Sequence, residues 1–228
     1  MVISDAQSVK GRIYKAIKEK IINLDLRPGE TLSDRKLSEE LKVSRTPVRE
    51  ALNLLQKENY VRQYHGRGFC VSEISLKTIE DLYDVRMALE SAALRHSAER
   101  DVAKHITKMD QLLKHHRDLI KSFKPQGKFF EDAEFHKAFV AMSENQYMLE
   151  ILGSIFERIQ MLRNIEGVSQ ERVKVALQQH VKIFECFKKE LYSEAEQMLC
   201  QHIQDSKKDI INRIKSRFQI LYFERLGG

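Results

Sequence analysis

The sequence predicts a mainly α protein in two parts: three short helices closed by a small β-hairpin, then an all-α bundle of about six helices. Three observations lead there. Ile13, Ile17, Ile21 and Leu24 recur at helical spacing near the start of the chain. The stretch from Pro28 to Val71 holds two short helical patterns around a tight turn, followed by two β-prone runs around a pair of glycines. From Ser75 to about Phe223 there is no strand alternation and one proline, Pro125. The expected domains are residues 1–72 and 73–228.

The first helix is expected from about Gln7 to Asn23 and is ended by Arg27-Pro28-Gly29. Ser33 stands where an N-cap hydroxyl satisfies free backbone amides, and Leu37 and Leu41 form the apolar side of the second helix. Lys42-Val43-Ser44 is the turn. Ser44 is the candidate cap of the third helix, and Pro47 lies in its first turn, where a missing amide hydrogen is harmless. Val48, Ala51, Leu52 and Leu55 are its buried side. Val61 to Tyr64 and Phe69 to Val71 make the hairpin, joined by His65-Gly66-Arg67-Gly68, whose glycines permit a sharp turn.

This is a winged helix-turn-helix, a shape that serves duplex DNA. Arg45, Thr46 and Arg49 fall on the outer, N-terminal face of the third helix, the end of a recognition helix that enters the major groove. Arginine can bond guanine O6 and N7 there in bidentate fashion. Arg35 on the preceding helix and Arg67 at the wing tip extend the basic face. Any one of these arginines could equally be a solvated surface residue; their number and placement together favour DNA.

The run PGETLSDRKLSEELKVSRTPVREAL followed by GRGFCV resembles the N-terminal domain of GntR-family bacterial transcription regulators, and the chain is identified as a member on that basis. The resemblance implies that Arg35, Arg45, Thr46, Arg49, His65 and Gly66 touch operator DNA.

Charge agrees with that assignment. The chain carries a net charge of +6. Residues 1–72 hold 14 Lys+Arg against 9 Asp+Glu, a net +5, leaving +1 for the rest. A phosphate-binding surface concentrated in the first domain would lose affinity steeply with salt as counterions are released. The cysteines, Cys70, Cys186 and Cys200, are odd in number and lack CxxC spacing, so they read as reduced, buried thiols rather than a disulfide framework or zinc ribbon. No cleavable signal opens the chain and no apolar run approaches the roughly 18 residues that cross a bilayer, so a cytoplasmic protein without membrane contact is expected.

In the second domain Leu82, Val85, Leu89 and Ala92 are read as lining the first helix, near Leu76 to Arg100. Ile106, Met109, Leu112 and Leu113 line the second. Lys124 to Gly127 is the first break. Helices follow from Lys128 to Met142, Gln146 to about Asn164, Ser169 to Lys189 and Ser193 to near Arg217.

Ionisable residues interrupt the apolar stripes. Asp132 and His136, four apart and so one turn above the other, share a face with Phe129, Phe139 and Val140. His180 falls among Val173, Ala176, Leu177, Val181 and Phe184, and His202 continues the line of Ala195, Met198 and Leu199. Singly, a histidine on an apolar face is more often a hydrogen-bonded core residue than a ligand. One carboxylate and three imidazoles pointing inward from three helices suit a divalent transition metal, whose charge offsets the burial of Asp132. Zinc fits first, with nickel and manganese as alternatives. His96, His105, His115 and His116 have no such alignment, and His115-His116 reads as a solvated face.

DxxxH, a histidine on a later helix and another 22 residues on resemble the FCD effector domain of the FadR subfamily, in its VanR-like branch of about six helices. The resemblance implies metal ligation by Asp132, His136, His180 and His202, and an effector-facing arginine at Arg86. Arg86 could otherwise form a salt bridge with Glu90 at four residues' spacing. The chain departs from the group at Gln179, where a glutamate is common before the third ligand.

The expectation is a homodimeric, ligand-responsive regulator and not an enzyme, repressing catabolic genes as the resemblance implies, with operator DNA and a small organic acid as partners. A metal-sensing regulator and a metal-dependent hydrolase are the competing functions.

Overall fold

The computed structural model describes residues 8–64, 68–73, 75–121, 131–166 and 169–226. The chain divides into two compact units, Met1–Ser75 and Leu76–Gly228.

The first unit opens with α1 (Val9–Ile22), capped by Ser8, whose hydroxyl accepts from Gly11 N at 3.0 Å. Its inner stripe is Ile13, Ile17 and Ile21, as the spacing predicts, while Leu24 falls beyond the helix at φ 68° and does not continue it. Ser33 caps α2 (Asp34–Glu40) by accepting from Lys36 N at 3.3 Å. Ser44 occupies the N-cap position of α3 (Arg45–Lys57), but its side chain makes no capping bond. The turn between α2 and α3 closes through Lys42, at φ 54°, and a bond from Val43 N to Ser38 O. Val48, Ala51, Leu52 and Leu55 of α3 are buried, and α3 packs on both α1 and α2.

The hairpin strands are β2 (Val61–Tyr64) and β3 (Gly68–Val71), antiparallel with Val61 opposite Val71 and Tyr64 opposite Gly68. A third strand, β1 (Thr31–Leu32), adds to the other edge of β3, giving the order β1-β3-β2. At two residues it is too short to show alternation in sequence. Gly68 stands at φ 78°, where a side chain would be strained. The wing tip, His65, Gly66 and Arg67, lies outside the described residues.

The second unit has six helices among the described residues: α4 (Leu76–Ala98), α5 (Ala103–Lys121), α6 (Glu131–Ala141), α7 (Gln146–Glu166), α8 (Gln170–Lys188) and α9 (Tyr192–Leu226). Glu144 and Glu190, at φ 53° and 60°, reverse the chain after α6 and α8. The short α6 is central, packing against α4, α5, α7 and α8, while α9 packs on α4, α7 and α8. Ala93, Val140, Leu152 and Phe156 form one core cluster, with Leu89, Ala133, Met148 and Leu149 packed against it.

Three readings of side-chain placement are corrected. Val85 is 51% exposed, because α4 turns Ile79, Tyr83, Arg86, Glu90, Ala93, Leu94 and Ser97 inward, a stripe containing two charged residues. His116 is 3% exposed, whereas its neighbour His115 is on the surface, since adjacent helix residues point in different directions. The three cysteines form no disulfide and are half-buried rather than buried. Phe129 and the break at Lys124 to Gly127 lie outside the described residues. No helix among the described residues is long and apolar enough to cross a membrane.

Leu52 is fully buried beneath the sheet-and-helix core of the first unit. Leu52→Ala is expected to destabilise that unit by about 2–5 kcal/mol, read by urea unfolding.

Candidate functional site

Asp132 and His136 come from α6, His180 from α8 and His202 from α9, and all four are buried. One donor atom from each lies within 4.8 Å of every other. His202 Nε2 is 3.1 Å from both His136 Nε2 and His180 Nε2. Asp132 Oδ1 is 3.9, 3.5 and 3.7 Å from the Nε2 atoms of His136, His180 and His202. The four residues singled out in the sequence therefore meet at one point, on three helices.

The groups behind them fix which atoms face that point. Glu90 on α4 accepts from His136 Nδ1 at 2.5 Å. Burial pushes the Glu90 carboxyl above its usual range while Arg86 works against that; in its ionised form it only accepts, so the imidazole proton then resides on Nδ1 and Nε2 carries a lone pair. Gln179 Oε1 accepts from His202 Nδ1 at 2.8 Å, with the same consequence. The Gln179 amide is oriented in turn by Asp205, which accepts from its Nε2 at 3.1 Å. Arg163 on α7 donates to Asp132 Oδ2 at 2.9 Å, leaving Oδ1 turned toward the histidines. His180 is held differently, stacked on Phe135 with centroids 4.0 Å apart.

This arrangement fits a metal ion. Two nitrogen lone pairs facing one another at 3.1 Å, as on His136 and His202, repel unless a cation lies between them. Donors about 2.0–2.2 Å from one zinc ion at tetrahedral angles lie roughly 3.3–3.6 Å apart, close to the separations here. Nitrogen and oxygen donors of this kind suit a divalent transition metal.

The electrostatics point the same way. Burial pushes His136 and His202 well below the usual imidazole range, and His180 below it as well. Burial works against ionisation of Asp132 too, but Arg163 and the histidines outweigh it and hold the carboxyl well below its usual value. Neutral imidazoles and an ionised carboxylate are the forms that bind metal.

Arg86 is fully buried, with Nε donating to Glu90 Oε1 at 2.6 Å. The salt bridge anticipated at four residues' spacing exists, and it lies inside the bundle. Glu90 thus links Arg86 to His136, and both pack on the ring of Phe156. Arg86 Nη1 and Nη2 are buried with no hydrogen-bond partner among the described residues.

In the first unit Arg35, Arg45, Thr46 and Arg49 are all exposed, the last three at the start of α3. Arg49 Nε donates to Asp34 Oδ2 at 2.5 Å, so α2 braces it. Arg35 Nε donates to Glu39 Oε1 at 2.9 Å on its own helix.

Sequence reasoning missed Arg163, Glu90's second bond and His116, which meets Glu134 Oε2 at 3.3 Å. Arg163 left one signal, a cation among apolar residues late in α7. The rest are contacts between helices far apart in sequence.

Metal-free protein is expected to lose stability as pH falls below about 6.5, the unfolded-chain histidine value. The unfolded state takes up protons there while the depressed native histidines do not, costing up to about 1.4 kcal/mol per pH unit for each. A second decline should begin below about 4, where unfolded aspartate protonates ahead of Asp132. Unfolding of chelated protein across about pH 2–8 measures both. Glu90→Gln should weaken metal retention by about 10–100-fold, read by chelator competition.

Comparison with known proteins agrees with both halves. Residues 81–205 match the FCD domain, and residues 9–71 match the bacterial regulatory proteins of the gntR family. The Nta operon transcriptional regulator of Aminobacter aminovorans is 31% identical over 207 residues, covering 88% of this chain and 94% of that protein. The gluconate operon transcriptional repressor of Bacillus licheniformis is 30% identical over 145 residues, covering 63% and 59% respectively. Among solved structures, a putative GntR transcriptional regulator from Rhodococcus sp. RHA1 has a TM-score of 0.74 at 22% identity, covering 90% of this chain and 99% of that one, a likeness of fold. The chain therefore belongs to the GntR family of bacterial DNA-binding transcription regulators, in the group that carries an FCD domain, and is not an enzyme.

Proposed function

We propose that this regulator is a cytoplasmic homodimeric repressor of catabolic genes, released from its operator by a small carboxylate metabolite bound beside a zinc ion in the second unit. Asp132, His136, His180 and His202 hold the metal, and Arg86 takes the carboxylate. The observation that carries the reading is Arg86 itself. A guanidinium with two buried N–H-bearing nitrogens lacking acceptors is costly, and a planar carboxylate is the group whose geometry satisfies them. Nickel or manganese would serve the same donor set. The gluconate operon repressor, a relative, is named for a carboxylate.

Arg35, Arg45, Thr46 and Arg49, with His65, Gly66 and Arg67 of the wing, contact the DNA. Two copies match the two halves of a palindromic operator. Val85 on α4 and Tyr147 and Ile151 on α7 are exposed apolar side chains of the kind that pairing of two copies would cover. The metabolite acts by binding one conformational state more tightly than another, which shifts the operator-bound population.

Metal as the signal is the second reading, favoured by the closeness of the four donors. In that case metal titration alone changes operator affinity, whereas a supporting ion changes thermal stability and leaves operator affinity to the carboxylate.

Separate substitutions test the two ends. Arg49→Ala should weaken operator binding by about 1–3 kcal/mol with metal content unchanged. His180→Ala should lose the metal and the carboxylate response while still binding operator. Full metal occupancy in His180→Ala would overturn the assigned ligands, and unchanged operator affinity in Arg49→Ala would overturn the assigned DNA face.

A further inference from the structure

We infer that Asp34 is a positioning residue for base reading: it holds the Arg49 guanidinium at Nε and leaves the fork of Nη1 and Nη2 to meet a guanine edge. This deepens the DNA-face reading above and rests on it. Arg49 Nε donates to Asp34 Oδ2 at 2.5 Å, across the turn between α2 and α3. Of the five N–H donors of a guanidinium, that bond uses one and leaves the four on Nη1 and Nη2. Guanine N7 and O6 are two acceptors side by side, which a fork of two nitrogens matches.

The two partners differ in freedom, and that difference decides which holds the other. The Arg49 side chain is long and 67% exposed, whereas that of Asp34 is short and 20% exposed. The backbone of Asp34 is fixed from both sides. Ahead of it, Leu32 of β1 pairs with Phe69 of β3, Gly29 N bonds Val71 O and Val71 N bonds Glu30 O. Behind it, Ser33 caps α2 by accepting from Lys36 N, and the start of a helix favours the negative charge of Asp34. Asp34 thus extends the fixed frame of the sheet to the guanidinium. An arginine braced in this way surrenders less side-chain freedom when it meets a base than one that moves in water.

The charge of the pair separates base reading from phosphate binding. A carboxylate against a guanidinium cancels much of its field at a distance, which weakens attraction to phosphate, but the directional N–H groups remain. Asp34 is therefore a poor companion for an arginine that only neutralises phosphate and a good one for an arginine that reads a base. Arg35 is the contrast. Its partner Glu39 lies four residues on along the same helix, at 2.9 Å, and both side chains are largely exposed. A pair of two mobile chains in water is weak and fixes no direction.

Duplexes enriched from a randomised DNA library on the full-length parent protein supply the probe. Fluorescence anisotropy then compares the enriched duplex with each of its single-base-pair variants. Arg49→Ala is expected to lose discrimination at one G·C pair. Asp34→Ala is expected to lower discrimination at that same pair by about tenfold and to add nothing further in the Arg49→Ala background. Glu39→Ala removes an equal charge from α2 and is expected to leave every ratio as in the parent. Each result is a ratio of affinities, so any fraction of a variant that fails to fold cancels. A ratio at that pair unchanged in Asp34→Ala, lowered equally at every position, or lowered as much in Glu39→Ala overturns the positioning role and leaves the DNA face standing. Full discrimination at every base pair in Arg49→Ala overturns the DNA-face reading itself.

Discussion

The bonds that fix the second unit run from α6 outward, through Asp132 to Arg163 on α7 and through His136 to Glu90 and Arg86 on α4. The helix is short and lies among four others, so its inward polar side chains, Asp132 and His136, have no route to water and must be satisfied by their neighbours. That requirement sets the rotation of α6, because Asp132 and His136 share the face that meets α8 and α9. It sets α4 as well, whose inner stripe must include Arg86 and Glu90 although both are charged. Phe135, Phe139 and Phe156 fill the space around these groups and exclude solvent from them.

The two units handle charge by opposite logic. On α3 the arginines stand in water, where ion pairs such as Arg49–Asp34 contribute little to stability and where the long-range field attracts phosphate. Binding through such groups is strong only in sum and yields to salt. Around α6 the buried charges are desolvated and tied to specific partners, Asp132 to Arg163 and Glu90 to both Arg86 and His136. The first unit gives a surface whose affinity is spread over many contacts. The second concentrates its polar contacts in a few buried groups.

Most of the fold was legible because periodicity reports burial. The isoleucine stripe of α1, the cap at Ser33, and the six helices of the bundle follow from local pattern alone. The four-residue cluster was legible for a related reason, since ionisable residues on apolar faces stand out. The reading failed where the inner face itself is charged. On α4, Val85 continues an apolar spacing while the true stripe runs through Arg86 and Glu90, so apolar periodicity assigned the wrong face. Glu90 is a neighbour of Arg86 in sequence but of His136 only in space, 46 residues away, and Arg163 reaches Asp132 from 31 residues away. β1 escaped notice because two residues carry no alternation.

Stability alone does not account for this interior. Exchanging a buried ion pair for well-packed apolar residues is often neutral, and at times stabilising by about 1–4 kcal/mol. A helical bundle that needed only to fold would gain from leucine or phenylalanine at several of these positions. A buried arginine and a half-buried one, two buried carboxylates and three histidines are instead gathered at one place. Arg86 sharpens the argument, because its pairing with Glu90 is incomplete and two of its nitrogens remain without acceptors. A group left short of partners in a dry interior destabilises the unliganded protein and is satisfied when an acceptor arrives. On the reading proposed above, a ligand acts on the DNA-binding unit to the extent that it satisfies Arg86 more fully in one conformational state than in another.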